Sequence, residues 1–208
     1  MPDDFERRLR DTLRAYRPRR IEPGDAREAA VLIPVVGRPE PGLILTVRTD
    51  TLSSHRGQIS FPGGSKDPED ESDEATALRE ASEELGLDVS NVRIAGRLDT
   101  IATVVSGFVV TPVVGFIDDP PELEPNPAEV ARVLVVPIGR LTDEIRAEPG
   151  FSHAGRTYPT EAWIHEDAVI WGVTARILRL FLERLADAGL ADPPVPATWP
   201  WPSPAPAS

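Results

Sequence analysis

Cysteine is absent from the chain, and lysine nearly so: Lys66 is the sole lysine among 22 basic residues. The first absence excludes a disulfide scaffold, thiolate metal sites and a cysteine nucleophile, and fits a reducing compartment, the cytoplasm. The second makes arginine the cation available for anionic groups, and a guanidinium suits bidentate phosphate contacts. Apolar runs of the roughly 18 to 20 residues that a membrane span needs are missing, as is a basic segment followed by an apolar block at the N-terminus, so a soluble, unexported protein is expected with no membrane partner. A formal charge of −12 leaves little excess cation to grip a nucleic acid backbone. At 208 residues the chain can bury a core without staples.

What the chain has in excess is acid, and the acid is concentrated. From Lys66 to Asp88 there are ten Asp and Glu against one Lys and one Arg, a local balance of −8. This stretch follows Gly63-Gly64 and is read as a loop, mostly solvated from Asp67 to Asp73, that runs into a helix from about Asp73 to Leu85. Ser72 or Asp73 caps the helix and Gly86 closes it. At about 100° per residue Glu74, Ala77, Leu78, Ala81 and Leu85 share one side, with Glu80, Glu83 and Glu84 on the adjoining arc.

Around this centre the pattern predicts an N-terminal helix over about 4–17, strands over Ala29–Val36 and Leu43–Arg48, and further strands over Val92–Leu98, Phe108–Phe116 and Arg132–Val136. A Pro-rich acidic loop from Asp118 to Ala128 precedes the last of these, and a long amphipathic helix spans Trp171–Ala188. His153 and His165 have no motif around them. Residues 1–191 read as one domain. Residues 192–208, with seven prolines in seventeen, read as a flexible tail whose Trp199 and Trp201 leave docking on the body, or on a second copy in a homodimer, open.

Three carboxylates at i, i+3 and i+4 of one helix lie within reach of a common point, where a cation relieves their repulsion. Oxygen ligands without cysteine or a histidine pair suit Mg²⁺ or Mn²⁺. Magnesium shares its shell with substrate phosphates, so the pattern points to a pyrophosphate-like group. Gly63 and Gly64 let the backbone approach that metal or phosphate closely, with the Gly64 carbonyl a candidate ligand.

Arg79-Glu80-Ala81-Ser82-Glu83-Glu84-Leu85-Gly86-Leu87 after Gly63-Gly64 closely resembles the Nudix box. Five fixed residues at about 6% frequency coincide by chance about once per million starts. The resemblance implies a Nudix fold, an α/β/α sandwich with a mixed sheet, with the N-terminal and long C-terminal helices added. It also implies that Glu80, Glu83 and Glu84 hold metals while Arg79 orients the carboxylates by a salt bridge. The box's spaced acid is Asp70 counted from the glycine and Glu71 counted from the arginine, because the loop is one residue longer.

Upstream, Leu45 to Thr49 and Leu52-Ser53-Ser54-His55-Arg56-Gly57-Gln58-Ile59-Ser60-Phe61-Pro62-Gly63-Gly64 look like the signature of Nudix coenzyme A pyrophosphatases, with Ser53 departing where an arginine is usual. That likeness implies hydrolysis of coenzyme A or a derivative to 3′,5′-ADP and 4′-phosphopantetheine or its acyl form. Arg48, His55, Arg56, Gly57, Gln58 and Gly63 are the candidate substrate contacts, His55 and Arg56 suiting a 3′-phosphate. Glu80 and Glu129 are candidate bases for the attacking water. The alternatives are a Nudix hydrolase of ADP-ribose, NADH or another nucleoside diphosphate derivative, and a non-catalytic nucleotide-sensing module.

Overall fold

A computed structural model describes residues 2–37, 39–49, 58–103, 106–141, 145–153, 156–165 and 168–194. Helix α1 (Pro2–Ala15) leads into strands β1 (Arg27–Val36), β2 (Gly42–Arg48), β3 (Ile59–Ser60) and β4 (Gly63–Ser65), then helix α2 (Asp73–Leu85). Strands β5 (Arg93–Arg97), β6 (Ile101–Ala102), β7 (Phe108–Ile117) and β8 (Val130–Pro137) follow. The C-terminal part holds β9 (Ile145–His153), β10 (Arg156–His165), β11 (Ala168–Trp171) and helix α3 (Gly172–Asp187).

β1 and β7 run parallel along their whole lengths at the centre of an eight-stranded sheet, and the other pairings in it are antiparallel. Both central strands read as continuous apolar runs because both faces are covered. On one face Ile33, Val35, Leu43, Leu45, Val114 and Phe116 pack with α1 and α3; on the other, Leu32, Ile44 and Val113 pack with Ala77, Ala81 and Leu85 of α2. The period-2 alternation along β1 and β2 thus divides two cores, giving the expected α/β/α sandwich with a mixed sheet. Truncating Leu85, fully buried, to Ala would cost about 2–5 kcal/mol.

Three local devices place α2. β4 pairs with β1 in the register Ala30↔Gly64, which brings the glycine pair against the central strand. Ser72 Oγ accepts the Ala75 N–H at 3.1 Å and starts the helix. Gly86, at φ 63°, donates its N–H to the Ser82 carbonyl and ends it. At the far end of the chain, Gly189 and Leu190 donate to Ala186 and Leu185, a paired closure of α3 that lets Leu190 pack on the core.

The sequence pattern did not predict the antiparallel sheet of β9, β10 and β11. Pro149 and Pro159 interrupt those strands and the register shifts between Tyr158 and Thr160, so pairing rather than alternation defines them. Among the described residues no helix is long and apolar enough to cross a membrane. Trp199 and Trp201 lie outside the described residues.

Candidate active site

The glycines that lead into α2 are there for space. A Cβ on Gly63 would stand 2.4 Å from the Ala30 carbonyl oxygen, and one on Gly64 would stand 2.5 Å from the Glu80 carboxylate. The first glycine lets β4 close on β1. The second leaves room for an acid about two turns into the helix to fold back onto the loop.

Arg79 is the hub of the acidic stretch. Its Nε and Nη2 donate to the two oxygens of Asp70 at 3.1 and 3.0 Å, Nη2 also donates to the Ser65 carbonyl, and Nη1 donates to Glu80 and Glu83, each at 3.1 Å. These hydrogen bonds from Arg79 hold the Asp70 carboxyl down at about 2, and Asp70 in turn raises the guanidinium. Of the two acids that spacing left open, Asp70 is the one bound to Arg79, and Glu71 is exposed.

The loop before the helix is therefore less solvated than its composition suggested. Asp67, Glu69 and Glu71 are exposed, but the Asp70 and Asp73 side chains are only 7% and 5% exposed. Asp73 collects Arg20 at 2.8 Å, Arg97 at 3.3 Å and Lys66 at 3.8 Å. Glu74 pairs with Arg97 rather than joining the apolar face. Lys66 comes from the same stretch, but Arg20 from the segment after α1 and Arg97 from β5 are distant in sequence, so local composition could not show them.

Further along α2 the acids change character. Glu84 lies on the core-facing stripe with Ala77, Ala81 and Leu85 and is 3% exposed, a correction to the adjoining arc expected for it. Burial pushes its carboxyl up to about 8; Arg48 opposes that rise, Glu80 and Glu129 add to it, and a hydrogen bond from the Gly63 backbone opposes it. Arg48 reaches only to 4.0 Å. Glu84 Oε2 and Arg48 Nε are both buried without a hydrogen-bond partner among the described residues. Glu80 is also raised, by burial first, with Arg79 pulling it down and Glu83 and Glu129 pushing it up. Glu83 is more than half exposed.

The remaining acid arrives from the Pro-rich loop before β8. Glu129 influences both Glu80 and Glu84, so the loop brings it to the same place. The loop is fastened on both sides: Glu124 and Asn126 donate their N–H groups to the carbonyls of Leu85 and Glu84, and Thr49 donates its N–H to the Glu129 carbonyl. Of the other sequence-predicted contacts, Gln58 accepts the Arg48 N–H at 3.0 Å through its carbonyl, while His55, Arg56 and Gly57 lie outside the described residues. Asn126 was not singled out from the sequence; an Asn-Pro turn carries no sign that its side chain will meet an acid.

Among the described residues no three Asp, Glu or His side chains stand together as a metal cage. Arg79 occupies the Glu80 and Glu83 carboxylates instead. The donor set nevertheless fits a hard divalent cation: Glu84 has an orphaned buried oxygen, Glu80 is pressed into the space left by Gly64, and Glu80 adds to the rise of the Glu84 carboxyl.

A model of the NUDIX domain matches residues 26–158, more than half of the chain. The chain belongs to the Nudix family. A relative from Photorhabdus laumondii, named "Uncharacterized Nudix hydrolase NudL", is 38% identical over 169 residues, covering 81% of this chain and 89% of that one. Its Yersinia enterocolitica namesake is 38% identical over 187 residues, covering 86% and 94%. Among solved structures, a MutT/nudix family protein from Enterococcus faecalis superimposes with a TM-score of 0.52 at 18% identity, covering 89% of this chain and 73% of that one, a likeness of fold. As a Nudix hydrolase the protein acts on a nucleoside diphosphate derivative, and such hydrolases generally use divalent metal ions.

Proposed function

We propose that the protein is a Mg²⁺- or Mn²⁺-dependent pyrophosphohydrolase of coenzyme A or its derivatives, yielding 3′,5′-ADP and 4′-phosphopantetheine or its acyl form. The observation that carries the substrate is the segment from Leu45 to Gly64, whose similarity to the coenzyme A group leads directly into the acidic site through β3 and β4. Glu80, Glu83, Glu84 and the Gly64 carbonyl would hold the cation, which when bound neutralises charge on the pyrophosphate oxygens.

The chain's own groups account for the rest of the reaction. Arg79 fixes the helix acids against the glycine loop. Arg48 sits beside Glu84 with a buried Nε still to be satisfied, which suits a substrate phosphate. Water adds its oxygen to one phosphorus, the P–O bond to the bridging oxygen breaks, and the water proton passes to a carboxylate. Glu80 is held by Arg79, whereas the hydrogen-bond partner found for the Glu129 side chain is a neutral amide, so Glu129 is the better proton acceptor.

The test is incubation with Mg²⁺ or Mn²⁺ and a panel of coenzyme A, acetyl-coenzyme A, ADP-ribose, NADH and diadenosine polyphosphates, with products separated by chromatography. Release of 3′,5′-ADP is expected from coenzyme A. Cleavage of ADP-ribose or NADH with coenzyme A intact would overturn the substrate and leave a Nudix hydrolase of the broader class. No cleavage of any compound would overturn the catalytic reading.

A further inference from the structure

The Pro-rich loop presents Glu129 to the acids of α2, and the means by which it does so is one side chain. The backbone N–H and the two side-chain atoms of Asn126 make three contacts, each with a different purpose. Its backbone N–H donates to the carbonyl of Glu84 at 2.9 Å, which seats the loop on the last turn of α2. Its Oδ1 accepts the Ala128 N–H at 3.1 Å, which turns the chain two residues on. Its Nδ2 is then left facing the Glu129 carboxylate, to which it donates at 3.4 Å. Two backbone bonds, from Glu129 and Val130 to the Asn126 carbonyl, complete the turn.

We infer that Asn126 is the positioning residue for Glu129, linking that acid to the helix that carries Glu84. This rests on the reading of Glu129 as proton acceptor and goes beyond it, because it assigns the position of the acid to a neighbour that touches no substrate. A carboxylate facing two others is pushed away from them, and Glu129 lies close enough to Glu80 and Glu84 to raise both. Thr49 holds the backbone of Glu129 but not its side chain, and the Asn126 amide supplies the side-chain restraint. The restraint comes from a neutral amide, not from a cation of the kind that holds Asp70.

Asn126→Asp separates the two uses of the side chain: it retains an acceptor for Ala128 and so the turn, but it cannot donate to Glu129 when ionised. Asn126→Ala removes both. The substrate is coenzyme A, or whichever panel compound is cleaved, with Mn²⁺. Each variant should lower kcat about tenfold with KM little changed, the scale of loss seen when a supporting partner of a site residue is removed. In a Glu129→Gln background, already slow, the further change at Asn126 should be less than about twofold, because residues acting as one unit are not additive. A full tenfold loss persisting in that background, or Asn126→Asp at wild-type kcat, would overturn the role of Asn126 while leaving Glu129 in place. Glu129→Gln at wild-type kcat would overturn both. Circular dichroism melts of Asn126→Asp check that the fold is retained.

Discussion

At the start of α2, Asp70 and Asp73 are nearly buried and each is met by guanidinium groups, so that Asp70 titrates at about 2. Three turns later Glu84 is buried at least as deeply, but among the described residues its nearest cation is 4.0 Å away and one of its oxygens has no partner, and its carboxyl rises to about 8. The residue types are alike and the surroundings opposite. Nothing in the helix backbone explains this, since the helix dipole is a modest term that fades within a turn. Placement of arginine explains it: Arg20, Arg97 and Arg79 serve the first acids, and Glu84, without a close cation among the described residues, can be ionised only at a cost in stability. That cost is what a site reserved for an outside cation should show.

The comparison breaks most visibly in catalysis. Glu84→Gln keeps the shape and removes the charge, and kcat/KM should fall by about 10² to 10³, several kcal/mol of lost transition-state stabilisation. Yet the same change should not weaken the fold. Asp73→Ala should do the reverse: urea denaturation should show a loss of about 2 kcal/mol from its charge-assisted hydrogen bonds, with Mn²⁺ affinity unchanged.

A smaller effect sharpens the contrast through pH. In EDTA, folded Glu84 keeps a proton that the unfolded chain releases above its ordinary value of 4.5, so the unfolded state binds fewer protons between there and about 8. Stability therefore falls as pH rises through that window, and Glu84→Gln should flatten the slope. Asp70 has the opposite sign: its stabilisation is full above 3.8 and is lost as pH falls toward 2. Urea midpoints measured across the two ranges separate them.

Much of this was legible in the residues because local rules agree there. The bounds of α2 follow from Ser72, the apolar stripe and Gly86, and the central strands follow from apolar runs at Ala29–Val36 and Phe108–Phe116. What escaped depends on partners far along the chain. Composition shows that Asp73 is acidic, not that Arg20 and Arg97 will converge on one of its oxygens. Glu84 counts as one of three similar glutamates until the sheet buries it. Asn126 acquires its role only when the loop folds against Glu84. The resemblance to the coenzyme A group is the opposite case, carried by sequence from Leu52 to Phe61 with Ser53 departing from it, while residues 50–57 lie outside the described structure.

The proposed site keeps the later acids of α2 for a cation, while the earlier ones are spent on the fold. Isothermal titration of the metal-free protein with Mn²⁺ tests it directly, using wild type, Glu84→Gln and Asp73→Asn. Binding by wild type and Asp73→Asn, with none by Glu84→Gln, is the predicted result; Mn²⁺ bound by Glu84→Gln as tightly as by wild type would contradict it.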